Sequence, residues 1–204
     1  MNMLCRSFYE RDTLIVAREL LGKYIVKKTY HKNLIGMIVE TEAYIGPFDK
    51  ASHSYNYRRT ERNDAMYGPP GHAYVYMIYG KNFCLNIVTE EVEKPCAVLI
   101  RALEPVSGLD EMAVNRYNKN FNELSKGEII NLTNGPSKLC SAFKIDKSYN
   151  KKDICSESFY IAEGITDFEI KESKRININY AEEAKDFLWR FYIKGNKFVS
   201  KPHE

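Results

Sequence analysis

The chain is poor in the residues that build metal centres and covalent frameworks. It has five cysteines, Cys5, Cys84, Cys96, Cys140 and Cys155, scattered and odd in number. No Cys-x-x-Cys pair occurs, which argues against a zinc ribbon and against a disulfide framework. Reduced thiols in a cytoplasm are the simplest reading. There are four histidines and no His-Glu-x-x-His, so no metal and no cofactor are expected. Long apolar runs are also missing. None approaches the roughly 20 residues of a membrane span, and residues 1–12 carry no secretory h-region. A membrane partner is therefore not expected. Charge of one sign is scarce: 30 basic against 27 acidic residues leave a net +3. Any nucleic-acid footprint must then come from local basic clusters.

What is present suits one globular domain. At 204 residues, folding buries roughly 70% of the unfolded surface, so a core forms without staples. Residues 12–22 read as a helix, with Asp12 as N-cap, Gly22 at the left-handed C-terminal position, and Leu14, Ala17, Leu20 and Leu21 as its apolar stripe. Residues 23–28 and 34–46 read as strands of a hairpin, turning at 30–33. A long polar connection rich in Tyr and Arg follows at 47–71, a length that in compact domains usually carries function. Strands at 72–80, 83–90 and 96–105 form a meander. A helix with Ser107 as cap is expected at 107–117, and a second from 135 with Pro136 at its first turn. Short strands are expected at 158–164, 168–180 and 188–200. The expectation is one α+β domain over 1–204, mainly antiparallel sheet, with the meander carrying the active-site residues and helices packed around it.

The stretch VETEAYIGPFDKASHS, at 39–54, raises the chemical question. Alternation puts Glu40, Glu42 and Tyr44 on one strand face and Val39, Thr41 and Ala43 on the other. A carboxylate beside a phenol at a strand end suits a general base in a cleft, although a solvated strand face is the plain reading of this strand alone. In the meander, Tyr74, Tyr76 and Ile78 share a face. Tyr79 stands on the turn before Gly80, where it cannot bury itself in its own sheet. Asn86 interrupts an apolar strand, and a buried amide is either a structural bridge or a reader of a polar edge. Arg101 does the same with a charge, which needs an acceptor when buried. A salt bridge to Glu40 or Glu42 is its structural alternative.

Taken in order, VETEAYIGPFDKASHS, YVYMIYGKNFCLNI, LIRALEP and NGPSKLCSAFKI resemble the 3-methyladenine (alkyladenine) DNA glycosylase family, in its bacterial form. The likeness runs from the first helix to WRFYIKGNKFVS. It implies a monofunctional enzyme that flips a damaged purine from duplex DNA and hydrolyses its N-glycosidic bond. By resemblance, Glu42 is the general base, and Tyr44 and Tyr76 sandwich the base with His53 near it. Asn86 sits against the base edge, Tyr79 wedges into the stack, and Arg101 binds the backbone near Glu42. Arg58 and Arg62 approach the DNA backbone, and Lys138 is read as a phosphate or structural lysine. The partner implied is double-stranded DNA holding damaged purines, and the chain is expected to act as a monomer. Spacing alone does not rank Glu40 against Glu42, and Lys81 and Asn82 receive no role. Two rivals remain on the sequence: a non-catalytic base-capture module, and a nucleoside hydrolase whose Glu40 and Glu42 lie roughly 7 Å apart along the strand.

Overall fold

The computed structural model describes residues 1–30 and 32–201. The turn expected at 30–33 contains His31, which lies outside the described residues, as do residues 202–204 of the expected domain. The chain begins with two helices, α1 (Arg6–Tyr9) and α2 (Thr13–Glu19). Asp12 caps α2 as expected, its carboxylate accepting from Leu14 N at 2.9 Å and Ile15 N at 3.1 Å. Gly22 takes the left-handed φ of +77°.

Two long strands organise the sheet, β2 (Leu34–Ile45) and β5 (Cys96–Ser107). They pair antiparallel along their length. β1 (Tyr24–Lys27) forms the expected hairpin with β2. β3 (Ala73–Ile78) and β4 (Asn82–Thr89) complete the meander with β5. After the helices α3 (Leu109–Tyr117), α4 (Lys126–Ile130) and α5 (Pro136–Ala142) come β6 (Cys155–Ser156), β7 (Phe159–Ala162), β8 (Ile170–Ser173) and β9 (Arg190–Ile193). The strand order is β3-β4-β5-β2-β1-β7-β6, with β9 pairing both β2 and β8. This is the expected α+β architecture, dominated by one antiparallel sheet.

The sheet forks on β2. β1 pairs with β2 only up to Met37, and β9 takes over from Glu40 to Glu42. At the same place the β2–β5 register slips twice: Ile38 faces Leu103, Glu40 faces Ala102 and Thr41 faces Ile100. Val39 and Arg101 are the unpaired residues. Such bulges re-aim side chains and bend the strand.

Alternation sorts the sheet into a core face and a second face. Val75, Leu85, Ile87, Val98 and Ile100 pack with Leu20, Met112 and Phe143 from the helices. Full burial of each such side chain contributes roughly 1.5–3 kcal/mol. On the other face the 47–71 connection is folded into short 3₁₀ turns. Its Ala65, Met66 and Tyr67 pack on Tyr74, Val88 and Ala97. It therefore forms an ordered wall rather than a free loop.

Three expectations are corrected. Ser107 is not a helix cap but the last residue of β5, and Gly108, at φ +77°, makes the turn into α3. A Cβ on Gly108 would lie 2.5 Å from Leu34 Cδ2, so a bare glycine takes the place of a side-chain cap. The strand expected at 168–180 stops at Ser173, and that at 188–200 is confined to Arg190–Ile193. Beyond Ser173 the backbone turns to side chains instead of a strand ladder, Ile176 N donating to Glu42. Among the described residues, no helix is long and apolar enough to cross a membrane.

Asp12→Ala should cost about 1 kcal/mol through the lost cap. In a chain of this size that lowers the melting temperature by roughly 2–4 °C, measurable by calorimetry.

Candidate active site

The second face of the sheet carries a cluster of buried ionisable groups. Glu40, Glu42, Asp49 and Arg190 are fully buried, Arg175 nearly so, and Arg101 is 7% exposed. Three carboxylates thus meet three guanidiniums. Glu40 accepts four hydrogen bonds: from Arg101 Nε at 3.1 Å, Arg190 Nε at 2.6 Å, Ser200 N at 2.7 Å and Ser200 Oγ at 3.0 Å. Three of these bonds end on Oε1 and one on Oε2, so the carboxylate is held as the anchor of two guanidiniums and the Ser200 backbone. Glu42 is held differently. Its Oε1 accepts from Ile176 N at 2.8 Å, while its Oε2 accepts from Tyr44 Oη at 2.8 Å and from Arg101 Nη1 at 3.3 Å.

Arg101 therefore bridges both carboxylates, the arrangement named above as its structural alternative. Burial works against its charge, but Glu42 and Glu40 together overcome that and hold the guanidinium above its ordinary range. The bulge at the fork supplies the geometry, since Arg101 is the residue the register slip leaves unpaired. Arg190 comes from β9 and fixes the far side of Glu40; it also donates to Ser173 Oγ and to the Lys201 carbonyl. Arg175 grips Asp49 with two bonds of 2.5 and 2.8 Å and stacks over the Tyr44 ring at 4.7 Å.

In front of Glu42 lies a narrow aromatic pocket of about 50 Å³, lined by Tyr44, Ala51, Ser52, His53, Met66, Tyr74, Tyr76, Asn86, Ala97 and Tyr180. The rings brace one another. His53 Nδ1 and Tyr74 Oη share a 2.8 Å hydrogen bond. The His53 and Tyr76 centroids are 4.7 Å apart, edge to face, and Tyr74 and Tyr76 are 5.2 Å apart. Burial, above all, and then Arg62 and Arg58 push the His53 imidazole down to about 4. The part of the ring that solvent reaches tempers that shift, and the ring is neutral at neutral pH. Burial, and next Glu42, raise the Tyr44 phenol well above its ordinary value, so it remains a donor to Glu42. Asn86 Nδ2 donates to Tyr74 O at 3.0 Å, which turns the amide into the pocket wall.

The remaining candidates surround this pocket. Tyr79 is 86% exposed at the β3–β4 tip, with φ of +48° followed by Gly80 at +74°. Favoured hairpin turns need positive φ at both central residues, usually from Asn-Gly. A bulky ring there is uncommon, and strain of this kind clusters at functional sites. Arg62 stacks on Tyr76 at 5.0 Å and donates to Met77 O. Arg58 is exposed and lines a cavity of about 380 Å³ next to the pocket, with Arg62, Lys50, Tyr55, His53 and Tyr180. Lys138 is elsewhere: its ammonium is held by Asn131 and Asn134, and burial and Arg116 pull its pKa down. It touches none of the pocket residues. Sequence reading did not mark Arg190, Arg175, Asp49, Ile176, Ser200, Met66 or Tyr180. Of these, only Arg190 left a signal, as a charge inside the apolar and aromatic run LWRFYI.

Glu40→Gln should destabilise the chain strongly, because buried Arg190 would lose its carboxylate, Arg101 would keep only Glu42, and the amide nitrogen would face donor groups of both arginines. Breaking a buried pair costs about 3–5 kcal/mol, or a melting temperature lower by roughly 6–20 °C. Glu42→Gln should lose clearly less, since Glu42 receives one longer arginine contact and the amide can donate to the Tyr44 oxygen. Thermal melts of the two variants make the comparison.

Residues 7–197 match the family described as methylpurine-DNA glycosylase. Similar relatives include proteins of Clostridium acetobutylicum, 54% identical over 97% of both chains, and Clostridium novyi, 55% identical over 98% of this chain and all of the relative. Another, from Desulfitobacterium hafniense, is 51% identical over 98% of this chain and 99% of its own. Each bears the provisional name 3-methyladenine DNA glycosylase. A buried carboxylate beside a tyrosine-lined slot, on a chain matched over nearly its whole length, places this protein in the methylpurine-DNA glycosylase family, as a DNA glycosylase that hydrolyses N-glycosyl bonds.

Proposed function

We propose that the chain, acting as a monomer, extrudes alkylated or deaminated purines from duplex DNA and hydrolyses their glycosidic bond with a water activated by Glu42. The observation that carries this reading is the Tyr44–Glu42 contact of 2.8 Å. It puts a buried carboxylate one hydrogen bond behind a pocket walled by tyrosine rings. Glu42 draws a proton from the water as the water oxygen bonds to the sugar C1′. The C1′–N bond breaks, and its electron pair leaves with the purine. A purine methylated at N3 or N7 carries positive charge, so that pair neutralises it and little acid help is needed; a neutral purine such as hypoxanthine or ethenoadenine leaves as its anion, which takes up a proton from solvent. A carboxylate base of this kind contributes roughly 10²–10⁴-fold, and the same charge steadies an oxocarbenium-like sugar.

Binding follows from the pocket. Tyr44 and Tyr76 offer π faces that attract a cationic base by about 0.5–2 kcal/mol. Neutral His53 adds no repulsion to such a base. A lesion costs less to unpair than a normal base, which adds selectivity. Arg101 steadies the catalytic carboxylate from behind, while Arg58 and Arg62, which line the cavity beside the pocket, contact the DNA backbone. Tyr79 fills the gap in the stack. 3-Methyladenine, 7-methylguanine, hypoxanthine and ethenoadenine are the candidate substrates.

Glu42→Gln should retain binding to lesion-bearing duplex and lose at least a hundredfold in single-turnover base release. Near wild-type release by this variant would remove Glu42 from the mechanism. Tyr79→Ala should lose stacking of roughly 1–3 kcal/mol, hence about 5- to 150-fold in release from duplex. Release from single strands should change much less, and so should the melting temperature of an exposed residue. An equal loss on both substrates would make Tyr79 a pocket residue rather than a wedge.

A further inference from the structure

The pocket is too small for its substrate. On the scale where one water needs roughly 10–15 Å³, its 50 Å³ holds about four heavy atoms, and a purine has about ten. Some wall must therefore give way when a base enters, and most of the walls are locked. Ala51, Ser52, Met66, Tyr74, Asn86 and Ala97 are buried. Tyr44 is tied to Glu42 and lies under Arg175. Tyr76 is wedged between Arg62, Tyr74 and His53, and His53 is bonded to Tyr74.

Tyr180 differs from all of these. It lines the pocket, yet 69% of it is exposed. It makes no hydrogen bond and no ring contact among the described residues. It also lines the neighbouring 380 Å³ cavity, so its ring stands on the boundary between the wide, basic space and the narrow slot. Its backbone, by contrast, is anchored on both sides. Ile176 N is bonded to Glu42, and Ile178, Ala181 and Ala184 pack on Ala51 at the pocket floor, with Tyr44 beside them. A free ring on a fixed backbone can turn by a surface rotamer change, without moving the catalytic carboxylate.

We propose that Tyr180 is the size-selecting wall of the base pocket: its ring sets how large a purine adduct the slot accepts. This rests on the reading that the slot takes an extruded purine. Because the ring reaches the pocket from its mouth, its bulk competes with groups added to the purine rather than with the purine rings held by Tyr44 and Tyr76. A smaller residue at 180 should admit bulkier adducts, and a larger one should exclude them.

The experiment measures kcat/KM for release of hypoxanthine and of ethenoadenine from otherwise identical duplexes. Both bases are neutral; ethenoadenine carries an extra ring across N1 and N6 where hypoxanthine has only O6 and an N1 proton, so the comparison between variants, not between bases, isolates the effect of size. Tyr180→Ala should raise the ethenoadenine-to-hypoxanthine ratio by about tenfold, the lower end of what a small difference in pocket volume achieves. Tyr180→Trp should lower the ratio by a similar factor, and Tyr180→Phe should leave it within about twofold. Opposite movements in the Ala and Trp variants are what a purely structural role cannot produce. A ratio unchanged across all three variants would overturn the role of Tyr180. Release of hypoxanthine by the wild-type chain, and its loss in Glu42→Gln, test the parent reading separately.

Discussion

Arg101 sits inside the sheet between Glu40 and Glu42, and the site is built outward from that bridge. A buried charge is costly unless it is paired and hydrogen-bonded. Two carboxylates on one guanidinium are still one positive charge short. Arg190 supplies it from β9, and Ser200 adds two more donors to Glu40. The fork of the sheet follows from this requirement. β2 must release β1 and accept β9 just where Glu40 begins, and the register slip at Val39 and Arg101 lies at that point.

The result divides labour between two glutamates that are two residues apart. Glu40 gathers four donors, from two arginines and Ser200, and ties the charge cluster together. Glu42 shares Arg101 but keeps its remaining contacts for Tyr44 and Ile176, which connect it to the pocket. A nucleoside hydrolase using both carboxylates as an acid and base pair fits this arrangement poorly, because Glu40 is fully buried, lines neither the aromatic pocket nor the basic cavity beside it, and is tied to Arg101, Arg190 and Ser200. The same rigidity extends forward: edge-on and tilted rings brace the aromatic pocket, and the ordered 47–71 wall packs behind them. The exposed rings at the rim are Tyr79 and Tyr180.

Much of the fold could be read from local pattern. The cap at Asp12, the β1–β2 hairpin and the three-stranded meander rest on periods and turn residues a few positions apart. The helix from Pro136 rests on the same kind of signal. The errors fell where a distant partner overrode the local signal. Residues 174–180 alternate like a strand, but their backbone answers to Glu42. Ser107 resembles a cap, but the close packing of Leu34 demands glycine at the next position.

The sequence alone determined which residues share a face. Glu40, Glu42 and Tyr44 alternate on one strand, Tyr74 and Tyr76 on another, and Tyr79 occupies a turn, because side-chain direction in a strand depends only on parity. It could not rank Glu40 against Glu42, and it did not disclose the neutralising arginines or the ring at position 180. Arg190 lies 150 residues from Glu40 along the chain, Ile176 lies 134 from Glu42, and Arg175 lies 126 from Asp49. The set of donors gathered on a carboxylate is a property of atoms in space. Only the tertiary structure decided it, by bringing β9 and the segment before it against the one strand that carries both carboxylates.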